Sequence, residues 1–125
     1  MVLSQKLLRL DQLANKLGFK IIPGRESTCV IDDKIITVNT RQKPIKRVWS
    51  TAHEIGHALT LTRCISEVGK RAVTGASYEW PCLESEFRAW HAADKIVRKL
   101  GLYDAEYLKY KHSCIRSYYC SATKK

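Results

Sequence analysis

The chain has 125 residues, 45% hydrophobic and 27% charged, with a formal net charge of +10 from 22 basic and 12 acidic residues. That length supports one domain over residues 1–125 with one modest core, and it excludes a deep multi-subsite tunnel. No apolar run approaches the roughly 18 residues of a membrane span, and five scattered cysteines do not form a secreted disulfide framework.

The opening stretch interrupts its leucines with Gln, Lys, Arg and Asp, unlike the continuous apolar centre of a signal peptide. A cytoplasmic protein with reduced thiols and no membrane partner is therefore expected. Leu3, Leu7, Leu10, Leu13 and Leu17 recur at helical spacing, which predicts a helix over residues 4–17 with Ser4 as its cap and Gly18 as its stop. Phe19–Ile22 is a short β-prone run closed by Pro23-Gly24. Thr28–Ile31 and Lys34–Val38 are β-branched runs joined by Asp32-Asp33, a good hairpin pair. Residues 1–43 thus read as a helix plus a small three-stranded sheet.

Residues 44–100 read as two long helices. Pro44 suits a first helical position, and the helix it opens, to about Arg63, carries Ile45, Val48, Trp49, Ala52, Ile55, Gly56 and Leu59 in one stripe. A loop over Cys64–Trp80 follows. Pro81 opens the second helix, to Leu100, with Leu83, Phe87, Trp90, Ala93 and Val97 as its stripe and Gly101 as its stop. Leu102–Tyr110 suggests a short third helix. The remainder of the basic extension 101–125 shows no assignable pattern. Its charge, with that of Arg41–Arg47, favours an anionic partner such as nucleic acid or an acidic protein.

The chemistry concentrates in the string His53-Glu54-Ile55-Gly56-His57. Histidines four apart on a helix project to one side, a turn above each other, so both imidazoles can reach one Zn²⁺. They lie about 100° and 140° from the stripe centre at Ala52, flanking the buried face as ligands on a cleft wall should. Glu54, beside the first ligand, is placed to act as base on a metal-activated water. A catalytic zinc takes three protein ligands and keeps one position open. Glu84 and Glu86 are the carboxylates available on the second helix. Glu86 falls about 40° from Trp90, inside the apolar stripe, where a carboxylate is costly unless paired or bound to metal. Glu84 falls outside it. Glu86 is thus the expected third ligand, with a salt bridge to a core-edge Arg or Lys as the alternative. Asp94 is a candidate to orient a histidine ring, or else a helix-edge Asp near Lys95 or Arg98.

The order of helix, small sheet, His53–His57 helix and Glu86-x-x-Ala89 on a second helix resembles the ImmA/IrrE-type metallopeptidases over about residues 5–100. The resemblance implies a minimal zincin-like α+β fold. It also implies one zinc held by His53, His57 and Glu86, with Glu54 as the catalytic carboxylate. The implied activity is peptidase action on a regulatory or nucleic-acid-associated protein, often in a phage or mobile-element setting. The family commonly carries Asn after the alanine where this chain has Trp90, so the contact made there must differ. No helix-turn-helix domain is visible, so a repressor substrate would be a separate chain. Strand addition to Lys34–Val38, taken as an edge, is the expected mode of peptide binding. Tyr78, His112 and Tyr118 are the candidate oxyanion donors. The alternative reading is a nucleic-acid-binding or protein-interaction module with a structural or vestigial zinc site.

Overall fold

The computed structural model describes residues 2–30, 33–68 and 79–123, leaving out the side chains of residues 61–68, 79–85 and 118–123. The fold is α+β. Its elements in order are α1 (Leu3–Lys16), β1 (Lys20–Gly24), β2 (Thr28–Val30), β3 (Ile35–Asn39), α2 (Pro44–Val68), α3 (Glu79–Lys99) and α4 (Ala105–Thr123).

Helix α1 buries Leu10 and Ala14 and half-buries Leu3, Leu7, Leu13 and Leu17, as its leucine spacing requires. Its N-cap is Val2, without a side-chain cap bond, so Ser4 lies inside the first turn and is not the cap. Two glycines stop helices where expected. Gly18 (φ 83°) follows α1 and Gly101 (φ 73°) follows α3. At each, the glycine N–H and the next N–H fold back onto helix carbonyls, Gly101 to Arg98 at 3.0 Å and Leu102 to Val97 at 3.0 Å. The left-handed backbone this needs is cheap only without a Cβ.

The sheet has the order β1-β3-β2. β2 and β3 form the antiparallel pair expected of a hairpin, with Cys29 opposite Ile36. β1 joins the other side of β3 in parallel, with Ile21 beside Ile36. Lys34–Val38 is therefore not an edge: its strand, Ile35–Asn39, is the central one, and β1 and β2 are the edges. The reason is non-local. β3 alternates buried Ile36 and Val38 with half-buried residues and packs on α2, so both its hydrogen-bonding sides are available to neighbours.

Helix α2 runs through the middle of the molecule, touching α1, β2, β3 and α3. Val48, Trp49, Ala52, Ile55 and Ala58 are buried, and so are Ser50, Thr51, Glu54 and His57 on its other sides. The helix continues to Val68 instead of stopping at Arg63, and α3 begins at Glu79 instead of Pro81. The expected loop is shorter by those turns, and residues 69–78 lie outside the described residues. On α3 the buried set is Ala89, Trp90, Ala93, Ile96 and Val97, while Phe87 is 50% exposed. The centre of the buried face lies about 60° from Trp90 on the side of Ala93. Glu86 thus sits nearer that centre than expected, and Phe87 drops out of it.

The last helix, α4, has 19 residues where a short one was expected. Asp104 caps it, its carboxylate accepting from the Tyr107 N–H at 2.9 Å. Tyr107, Tyr110 and Cys114 share one face, and the two tyrosine rings pack on Trp49 and Trp90. Asp94 ties α4 to α3: it accepts from the Tyr107 hydroxyl at 2.7 Å and from the Lys111 ammonium at 2.8 Å. Asp94 therefore does not orient a histidine ring; its hydrogen-bond partners lie on α4, and it also interacts electrostatically with Arg98, as the helix-edge expectation had it. Among the described residues, no helix is long and apolar enough to cross a membrane.

Candidate metal centre

His53 and His57 stand one turn apart on α2, their ring centroids 4.7 Å apart. From α3, Glu86 reaches both: its carboxylate oxygens lie 2.9 Å from His53 Nε2 and 2.9 Å from His57 Nε2. One ligand atom from each residue lies within 4.8 Å of the others, and no other group of His, Cys, Asp or Glu among the described residues converges this way. The close approach of α2 to α3 brings the three together. Gly56, between the two histidines, faces the Ala89 carbonyl so tightly that a Cβ on it would lie 2.2 Å from that oxygen. Ala89 is one turn after Glu86.

These donors fit a divalent cation. An ion about 2.0–2.1 Å from each donor would set neighbouring donors about 3.3 Å apart in a tetrahedron. The carboxylate bridges the two nitrogens at 2.9 Å through different oxygens, and the three ligand atoms lie within 4.8 Å of one another, so the side chains would rearrange to share one ion. Two imidazoles and one carboxylate leave a fourth position for solvent or substrate.

The electrostatics follow from burial. Glu54, only 5% exposed, does not join the triad; its nearer oxygen is 3.9 Å from His53 Nδ1. Burial pushes its carboxyl up, His53 and His57 pull it back, and Glu86 adds to the rise. Burial also works against the charge on Glu86, but its hydrogen bonds to the two imidazoles hold that carboxyl down at about 2. For His57, burial is the largest influence and opposes protonation, but the hydrogen bond to Glu86 together with the charges of Glu86 and Glu54 outweighs it, so the imidazolium persists above its ordinary range.

Trp90 occupies the position where a polar contact would be expected. Its indole stacks on His53, centroids 4.0 Å apart and planes within 10°. The His53 ring is thus held by a face contact, and among the described residues the buried indole N–H has no hydrogen-bond partner.

Two further groups approach the site from α4 and one from β2. Tyr110, half-buried between Trp49 and Trp90, interacts with the Cys114 thiol, the Ser50 hydroxyl and the Glu54 carboxylate; burial, then Cys114, pushes its phenol well up. The Cys114 thiol is raised mainly by burial, with Glu86 and Glu54 adding. Cys29, on β2, is pushed to about 12 by burial and by Glu54. Both thiols stay protonated near neutral pH.

Tyr110 was not among the residues singled out from sequence; the signal available was the Tyr107-x-x-Tyr110-x-x-x-Cys114 spacing, a helical face of aromatic and thiol groups. Of the oxyanion candidates that were, Tyr78 and the Tyr118 side chain lie outside the described residues, and His112 is exposed. The Glu84 side chain also lies outside them, and His91 is exposed. Compared with models of known families, with curated proteins and with solved structures, the chain finds no match.

Proposed function

We propose that the protein is a zinc-dependent peptidase with a minimal zincin-like fold of the ImmA/IrrE type. Its substrate would be a regulatory or nucleic-acid-associated protein in the cytoplasm, of the phage or mobile-element kind. The observation that carries the reading is the convergence of His53, His57 and Glu86 beside a buried carboxylate, Glu54, that is not a member of the triad. When bound there, zinc supplies Lewis acidity and a water acidified towards neutrality.

The remaining chemistry belongs to the chain's own groups. Glu54, its carboxyl raised by burial, takes the proton from the attacking water and hands it to the departing amine. Tyr110 keeps its proton at any physiological pH and, among the described residues, would be the donor to the oxygen that gains charge, because it interacts with Glu54. Trp90 keeps the His53 ring in its plane. An extended substrate would pair with β2, an edge strand bonded to β3 on one side only, whose Cys29 lies near Glu54.

The test is Glu54→Gln in a protein loaded with one equivalent of zinc, assayed on an unstructured protein and on a peptide library. The variant should keep its zinc by elemental analysis and lose cleavage by at least about a hundredfold. A variant that still cuts, or a wild type that binds no zinc, would defeat the proposal.

A further inference from the structure

A groove of about 990 Å³ runs between α1 and α3, with Leu59 and Thr60 of α2 at its side. Its floor is aliphatic, from Leu10, Leu13, Leu59, Ile96 and Leu100. Phe87, half-exposed although it is a large apolar side chain, stands in its wall. The rim is cationic: Arg9 comes from α1, and Lys95 and Lys99 stand one turn apart on α3, all three exposed. Among the described residues, no acidic one lines it.

We infer that this groove docks an acidic amphipathic helix of a partner protein. The volume matches about two turns of a helix roughly 10 Å across, enough for apolar anchors at i, i+3, i+4 and i+7. Charge decides among occupants. Segment 69–78 of the chain carries Lys70 and Arg71 and no acidic residue, so it offers the rim no opposite charge. A second copy would bring another net charge of +10. A nucleic acid would satisfy the rim, but bases stack on flat aromatic platforms, and this floor is aliphatic. A helix with leucines on one face and glutamates on its flanks satisfies floor and rim together. The groove is lined by none of His53, Glu54, His57 or Glu86, so the inference stands whether or not the protein is a peptidase.

The test is fluorescence anisotropy on the full chain with a short labelled helix bearing leucines at that spacing and flanking glutamates. The controls are a scrambled peptide of equal composition and a labelled DNA oligonucleotide. The patterned helix should bind, with salt weakening it. Lys95→Glu with Lys99→Glu, or Phe87→Ser, should weaken it at least about tenfold. These positions are exposed, so circular dichroism should remain that of the wild type. Arg41→Glu with Lys43→Glu, on a loop away from the groove, should leave binding within about twofold. Equal binding of the scrambled peptide, preferential binding of DNA at the groove, or equal losses in both variant pairs would overturn the inference.

Discussion

Gly56→Ala is the sharpest probe of how the triad is assembled. The added Cβ would lie 2.2 Å from the Ala89 oxygen, 3.0 Å from its carbonyl carbon and 3.2 Å from its Cα, against ordinary contact beginning at 3.4 Å. The obstacle is backbone, so no side chain can swing aside, and α2 and α3 must part by about 1 Å. Overpacking of this kind costs about 1–3 kcal/mol, and alanine recovers about 1 kcal/mol in helix propensity. The net loss, up to about 2 kcal/mol, should appear as a lower urea midpoint for the metal-free protein. The effect on the metal should be larger in proportion. Glu86 lies one turn from Ala89, and ligand distances tolerate only about 0.2 Å, so zinc affinity measured against a chromophoric chelator should fall at least about tenfold, or 1.4 kcal/mol. A Gly56→Ala protein with the wild-type midpoint and wild-type zinc affinity would refute the account of the α2–α3 contact as the device that sets the site.

Glu86→Ala should abolish stoichiometric zinc while Glu84→Ala retains it; elemental analysis giving the reverse would exchange their roles. Trp90→Phe keeps an aromatic face over His53 and should hold zinc affinity within about tenfold, whereas Trp90→Leu should lose more than that; equal affinities would show that the stack does not orient the ligand. In the metal-free protein, the Glu86 carboxyl is held at about 2 from its ordinary 4.5. The stability this contributes is complete above pH 4.5 and is lost as pH falls towards 2, because the unfolded chain binds the proton first. Glu86→Gln should therefore flatten the acid limb of denaturation midpoint against pH in that window, and an unchanged limb would count against the ion-paired arrangement. The raised His57 works in the other direction: its contribution is present below its ordinary 6.5 and fades as pH rises through the higher folded value.

Much of the local structure was legible from single elements. The leucine period placed α1, the positions of Gly18 and Gly101 set two helix ends, and the β-branched runs marked the β2–β3 hairpin. The four-residue spacing placed His53 and His57 on one side of α2, and the apolar period of α3 put Glu86 on its buried face. The same reading put Phe87 in the core, because a stripe centred on the largest side chain, Trp90, was about 60° away from the face that α2 covers. Most of α4 escaped because its packing face is built from tyrosine and cysteine among basic residues, a weak hydropathy signal.

Spacing along one element reports which side is buried and which residues stack on it, since both follow from the 3.6-residue turn and the two-residue pleat. It carries no information about what lies opposite. The parallel pairing that made β3 central, the contact of Gly56 with Ala89, the indole over His53 and the arrival of Tyr110 near Glu54 each join segments distant in the chain. Those arrangements depend on how closely whole helices and strands can approach, so only the tertiary structure decided them.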